Sequence, residues 1–138
     1  MKHSIDCKWT DKMAFEATVN DHKIIFDADP TVGGENTGAR PKPVILASLA
    51  GCSGMDVISI LAKMKVIPTY FNITVEGDLT EEHPKVYSKI HVVYEFKGEN
   101  LDYDKLKKAV DLSQDRYCGV SAMLRLGSQM TYCIKILE

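Results

Sequence analysis

Two cysteines sit in settings that suit thiol chemistry. Cys52 lies in a long, nearly uncharged run, Pro43-Val-Ile-Leu-Ala-Ser-Leu-Ala-Gly-Cys-Ser-Gly-Met-Asp56, and Cys118 lies in Tyr117-Cys-Gly-Val-Ser-Ala122. Together they read as a reactive dithiol. In a reducing cytosol, Cys7, Cys52, Cys118 and Cys133 are free, catalytic or metal-bound rather than locked in structural disulfides. None has the paired spacing of a structural zinc site, and His3, His22, His83 and His91 form no ligand-spaced cluster, so no metal and no cofactor are expected. Cys7 and Cys133 fall in strand-like segments and are read as packing residues.

Ser48, Cys52, Asp56, Ser59 and Lys63 recur at helical intervals and share one face of an otherwise apolar segment. Ala47, Gly51 and Gly54 form a small-residue line beside them, which suits close approach of a partner helix, including one from a second subunit. The plain alternative is that Cys52 is a small core residue. Asp56, one turn on, opposes its ionisation, and Cys52 lies too deep for the helix dipole to act on it. Reactivity at Cys52 therefore requires a cation. Arg40 and Arg116 are the candidates, against the plain reading of each as a solvated surface arginine; Arg125 fits better as a charge at a helix C-terminus. Cys118 precedes a short helix expected over Val120 to Leu124. That position makes it the candidate for the more acidic thiol, with a buried residue in an interhelix turn as the plain alternative.

These residues need a scaffold. The chain has 138 residues, of which 45% are hydrophobic and 26% charged, the composition of one soluble domain over 1–138. A net charge of -2 and a pI near 6.1 give no basic surface for nucleic acid. Charges in Met1-Lys-His-Ser-Ile-Asp-Cys-Lys-Trp9 leave no apolar signal-peptide core, so a cytoplasmic location is expected. The Pro43 to Ala62 run is long enough to raise a membrane span. Asp56 inside it and Lys63 and Lys65 closing it favour a buried core helix instead.

Alternation around Ile5 to Trp9 and Phe15 to Val19, with Asn20-Asp21 before His22 to Phe26, predicts a three-stranded meander. Asp27 to Lys42 is dense in Gly, Pro and small polar residues, a long loop of the kind that is often functional. Tyr70 to Gly77 and Val86 to Phe96 predict a hairpin. Asp102 is an N-cap for a helix burying Leu106, Ala109, Val110 and Ser113, and Gln129 to Leu137 is a final strand. The fold class is α+β.

Leu49-Ala-Gly-Cys-Ser-Gly-Met-Asp-Val-Ile-Ser-Ile-Leu61 followed by Tyr117-Cys-Gly-Val-Ser-Ala122 resembles the osmotically inducible protein C and organic hydroperoxide resistance (OsmC/Ohr) family, across nearly the whole chain. The resemblance implies an intertwined homodimer that buries the long central helices. It also implies a thiol-dependent peroxidase acting on organic hydroperoxides, in which peroxidatic Cys52 becomes a sulfenic acid. Resolving Cys118 then condenses with it to a disulfide that an external dithiol reduces. Two positions depart from the family pattern. Pro43 stands where many members carry a glutamate nine residues before the first cysteine, and Gly119 stands where proline is usual. The resemblance further implies an arginine and a glutamate that hold the first cysteine as thiolate and orient the peroxide; Arg40 and Glu35, in the long loop, are the stand-ins for these roles, with no motif match behind them. The alternative is a non-catalytic module that binds an apolar small molecule at the dimer interface.

Overall fold

The computed structural model describes residues 1–138. The element order is β1 (Asp6–Asp11), β2 (Ala14–Val19), β3 (His22–Phe26), a 3-10 turn (Pro30–Val32), α1 (Pro41–Lys63), β4 (Tyr70–Leu79), β5 (Tyr87–Lys97), α2 (Tyr103–Leu112), a π turn (Ser113–Tyr117), α3 (Gly119–Arg125) and β6 (Gln129–Ile136). The chain divides into two compact units, Met1–Ile45 and Leu46–Glu138.

In the N-terminal unit β1, β2 and β3 form the expected antiparallel meander. The β2–β3 turn is built on Asn20 and Asp21, both with positive φ (49° and 65°), the left-handed pair that a two-residue hairpin requires. Within the chain β1 is exposed on both faces, Cys7 included, so Cys7 is not the packing residue expected. Residues 27–42 are also more ordered than their composition suggests. Asp27, only 4% exposed, accepts hydrogen bonds from the Ala28, Glu35 and Thr37 amides and from the Thr37 hydroxyl. Those bonds hold its carboxyl far below the usual carboxylate range. Gly34 and Gly38 complete the loop, because a Cβ at either would lie 2.0 Å or 2.3 Å from a backbone oxygen of Ala28 or Ile25.

The C-terminal unit is a second three-stranded sheet, β4-β5-β6. The expected β4–β5 hairpin is antiparallel, and β6 runs parallel to β5. A parallel return needs a crossover, and residues 98–128 fill it with α2, the π turn and α3. Asp102 caps α2 by accepting from the Asp104 amide. Leu106, Ala109 and Val110 of α2, Leu49, Val57 and Leu61 of α1, and Ile90, Val92, Tyr94 and Phe96 of β5 form the core. Phe71 stacks on Phe96 at 4.5 Å.

The end of α1 is a Schellman turn. The Val66 amide donates to the Leu61 carbonyl and the Lys65 amide to that of Ala62, with Lys65 left-handed at φ 61°. Within the single chain α1 is buried along one side only. Its buried line is Leu49, Ser53, Val57 and Leu61, while Ile45, Ile58 and Met55, the last 77% exposed, face outward. α1 is also long and apolar enough to cross a membrane, with a mean hydropathy of 1.9 over its most apolar window.

Candidate functional site

Cys52 and Asp56 are four residues apart on α1, so they emerge on the same side of the helix, flanking its buried line. Cys118 is delivered from the opposite direction. The π turn widens the chain after α2, the Cys118 amide donates to the Ser113 carbonyl at 2.8 Å, and Cys118 becomes the N-cap of α3. Such π turns inside helical segments recur at functional sites. The Cys52 sulfur, the Cys118 sulfur and an Asp56 carboxylate oxygen all lie within 4.8 Å of one another. Cys52 is half-buried and Cys118 is 3% exposed, and both are free thiols.

The electrostatics of Cys118 reverse the sequence expectation. Its sulfur accepts a hydrogen bond from the Ser121 amide at 3.3 Å, as a helix N-cap should. Burial nevertheless pushes its pKa up to about 11, assisted by its hydrogen bond to Cys52, the closeness of that sulfur and the Asp56 carboxylate. Cys118 is held protonated at neutral pH. Desolvation, the Cys52 contact and the Asp56 carboxylate outweigh a single amide and the dipole of a seven-residue helix.

Behind the thiols runs a buried polar chain that the sequence did not reveal. Ser113 Oγ donates to Asp56 Oδ2 at 3.1 Å and lies 2.8 Å from Ser53 Oγ; Ser53 Oγ lies 2.6 Å from the Tyr94 hydroxyl. Gln114 Nε2 donates to Tyr94, Ser121 Oγ donates to Gln114 Oε1 at 2.6 Å, and Arg125 Nη2 donates to Ser121 Oγ at 3.2 Å and to the Gln114 carbonyl at 2.6 Å. One polarity satisfies every member. Asp56 can only accept and Arg125 can only donate, and each hydroxyl has a single proton. Protons therefore point from Arg125 through Ser121 to Gln114 Oε1, and from Gln114 Nε2 through Tyr94, Ser53 and Ser113 to Asp56. Burial raises the Tyr94 pKa, which keeps that hydroxyl protonated as the chain requires. No buried side-chain polar atom is left without a partner.

The other expected residues have their own partners. Arg40, in the N-terminal unit, donates to Asn36 Oδ1 at 2.9 Å and the Gly38 carbonyl at 3.1 Å, and pairs with Asp29 at 3.6 Å. Glu35 pairs with Lys12 at 3.4 Å. Arg116 is exposed and lies over the Tyr117 ring at 5.6 Å, the plain surface arginine. Arg125, ranked last from sequence, is the one integrated with the thiol site through the polar chain. Cys133 is half-buried, with its sulfur 3.6 Å from His91 Nε2, while His91 Nδ1 lies 2.7 Å from the Thr131 hydroxyl. The signal for the missed residues was weak. Ser53 occupies the buried line of α1, and Ser113 was expected on the apolar face of α2, where a serine needs a polar partner.

A family profile described as OsmC-like protein matches residues 34–132. Protein YhfA of Escherichia coli (strain K12) is 27% identical over 134 residues, spanning 94% of this chain and 95% of that protein. The crystal structure of a hypothetical protein from Aquifex aeolicus VF5 superposes with a TM-score of 0.83 at 27% identity, covering 100% of this chain and 99% of that one. The organic hydroperoxide resistance protein OhrB of Bacillus subtilis superposes with a TM-score of 0.66 over 98% of both chains; at 16% identity it shares the fold.

Proposed function

The chain belongs to the OsmC-like family, and within it we propose a thiol-dependent peroxidase that reduces organic hydroperoxides through Cys52 and Cys118. The observation that carries this reading is the meeting of two free sulfurs from distant parts of the sequence within 4.8 Å. One is half-buried and reachable, and the other is buried and held protonated. The thiolate of Cys52 attacks the O–O bond of ROOH, breaking it. The sulfur becomes a sulfenic acid and the departing alkoxide takes a proton to leave as ROH. Cys118 then attacks the sulfenic sulfur, an S–S bond forms, and its thiol proton leaves with the hydroxyl as water. Asp56, beside both sulfurs, is placed to carry that proton. An external dithiol returns both cysteines to thiols.

The polar chain supports this role by holding Asp56 in one orientation. Arg40 and Glu35 enter the proposal through the composition of their loop alone, and Arg40→Met and Glu35→Gln, scored in the same assay, test them. We also place the protein in the cytoplasm as one domain over residues 1–138, and as a homodimer in which a second copy covers the outward face of α1. A shallow trough along that face, lined by Ala50, Gly51, Gly54, Met55, Ile58 and Ile73, suits an apolar occupant. It also favours the second reading, a binding module without peroxidase activity.

One experiment separates the two. Reduced protein is mixed with one equivalent of cumene hydroperoxide or tert-butyl hydroperoxide and its disulfides are mapped by mass spectrometry. Rapid formation of Cys52–Cys118, abolished in Cys52→Ser, is the expected result. Intact thiols, with Cys52 reacting no faster than an ordinary thiol, would leave the binding module.

A further inference from the structure

The thiol site has the composition of a metal centre as well as of a redox pair. We propose that the reduced protein binds one zinc-class divalent ion through Cys52 Sγ, Cys118 Sγ and an Asp56 carboxylate oxygen, with water as the fourth ligand. Three protein ligands and an open fourth position are the pattern of reactive rather than structural zinc sites. Zinc–sulfur bonds of about 2.3 Å and zinc–oxygen bonds of about 2.0–2.2 Å place tetrahedral ligand atoms roughly 3.5–3.8 Å apart. The three atoms already lie within 4.8 Å of one another, so the site closes on an ion with a contraction on the order of 1 Å.

Three further observations support the assignment. Cys52 and Asp56 have the i, i+4 spacing that presents two ligands on one helix face. Asp56 is held from behind through Oδ2 by the Ser113 hydroxyl, the outer-shell support that ligating carboxylates need. Two thiolates with one carboxylate select zinc, cobalt or cadmium over magnesium or calcium, which prefer all-oxygen sites. Sequence spacing conceals the site because its ligands come from α1 and from the turn before α3, with no paired-cysteine motif.

Binding needs both thiols reduced, so the ion-bound and disulfide states exclude each other, and an ion of this class would hold the pair away from peroxide. The inference rests on ligand geometry and does not require a peroxide substrate. Its test therefore uses no peroxide and fails independently of the disulfide mapping.

Metal-stripped, reduced protein is titrated anaerobically with Co2+, following sulfur-to-cobalt charge-transfer absorption, and Zn2+ is then used to displace the cobalt. The expected result is one ion per chain. The charge-transfer band is lost in Cys52→Ser and in Cys118→Ser, and affinity falls about 10-fold or more in Asp56→Asn. Bound Zn2+ should also shield Cys52 and Cys118 from iodoacetamide while Cys7 and Cys133 still label, a readout on the wild-type chain that does not depend on any variant folding. No band at micromolar Co2+, a band retained in Cys52→Ser, or shielding of Cys133 in place of Cys52 would each overturn the proposal.

Discussion

Tyr94→Phe removes one oxygen from the middle of the buried polar chain and leaves the ring. The phenyl group keeps its stack with Phe71 and its edge contact with Tyr132, so the change isolates the hydroxyl. Two hydrogen bonds disappear, to Ser53 and to Gln114, each worth about 1 kcal/mol net. The polarity of the chain then decides the larger cost. Ser53 can still donate to Ser113, but Gln114 Nε2 loses its acceptor in a fully buried position, and a stranded buried donor costs about 1–3 kcal/mol. The expected destabilisation is about 3 kcal/mol, on the order of 10 °C in melting temperature for a chain of this size. Urea unfolding of the reduced protein at neutral pH measures it, in a cycle with Ser113→Ala and the double variant. Tyr94 and Ser113 share Ser53 as a partner, so the two effects should be non-additive by about 0.5 kcal/mol or more. A loss below about 0.5 kcal/mol for Tyr94→Phe, or strict additivity with Ser113→Ala, would refute the directed chain.

Other outcomes follow from the same geometry. Cys118 has a folded-state pKa of about 11 against an ordinary 9.0, so its contribution is fully present below pH 9 and is lost as pH rises toward 11. The reduced protein should lose up to about 2–3 kcal/mol over that window, and Cys118→Ala should flatten the profile between about pH 9 and 11; parallel curves would contradict it. Asp56→Asn removes a charge that raises the Cys118 pKa, so the pH midpoint of Cys118 alkylation by iodoacetamide should move down. A methyl group on Gly119 would meet no atom within 4 Å, and its φ is not positive, so Gly119→Ala should raise stability by about 0.4–1 kcal/mol in denaturant unfolding. Met55→Glu places a charge on the exposed apolar face of α1 and should shift the protein to monomer in sedimentation velocity; an unchanged assembly would remove that face from the proposed interface.

Much of the architecture was legible in the sequence because local periodicity carries it. Alternation marked β2, β4 and β5, the Asn20-Asp21 pair marked the hairpin, and Asp102 with Leu106, Ala109 and Val110 marked α2 and its buried side. The two thiols were also legible, through the run around Cys52 and the short segment around Cys118. Which face of α1 the single chain covers was not legible, because hydrophobicity alone does not say which apolar face packs within one chain. Leu49 and Val57 are core while Met55 is exposed on the same helix.

What only the tertiary structure decided is the protonation of Cys118 and the surroundings of both thiols. Helix position alone favoured an acidic Cys118, yet burial and the convergence of Cys52 and Asp56 on it push its pKa the other way. Sequence likewise ranked Arg125 below Arg40 and Arg116, because its link to Asp56 passes through Ser121, Gln114, Tyr94, Ser53 and Ser113, contributed by four separate segments. Periodicity reports which residues share a face. Desolvation and through-space charge depend on what the remaining elements bring against that face, and for Cys52 and Cys118 those elements are distant in sequence.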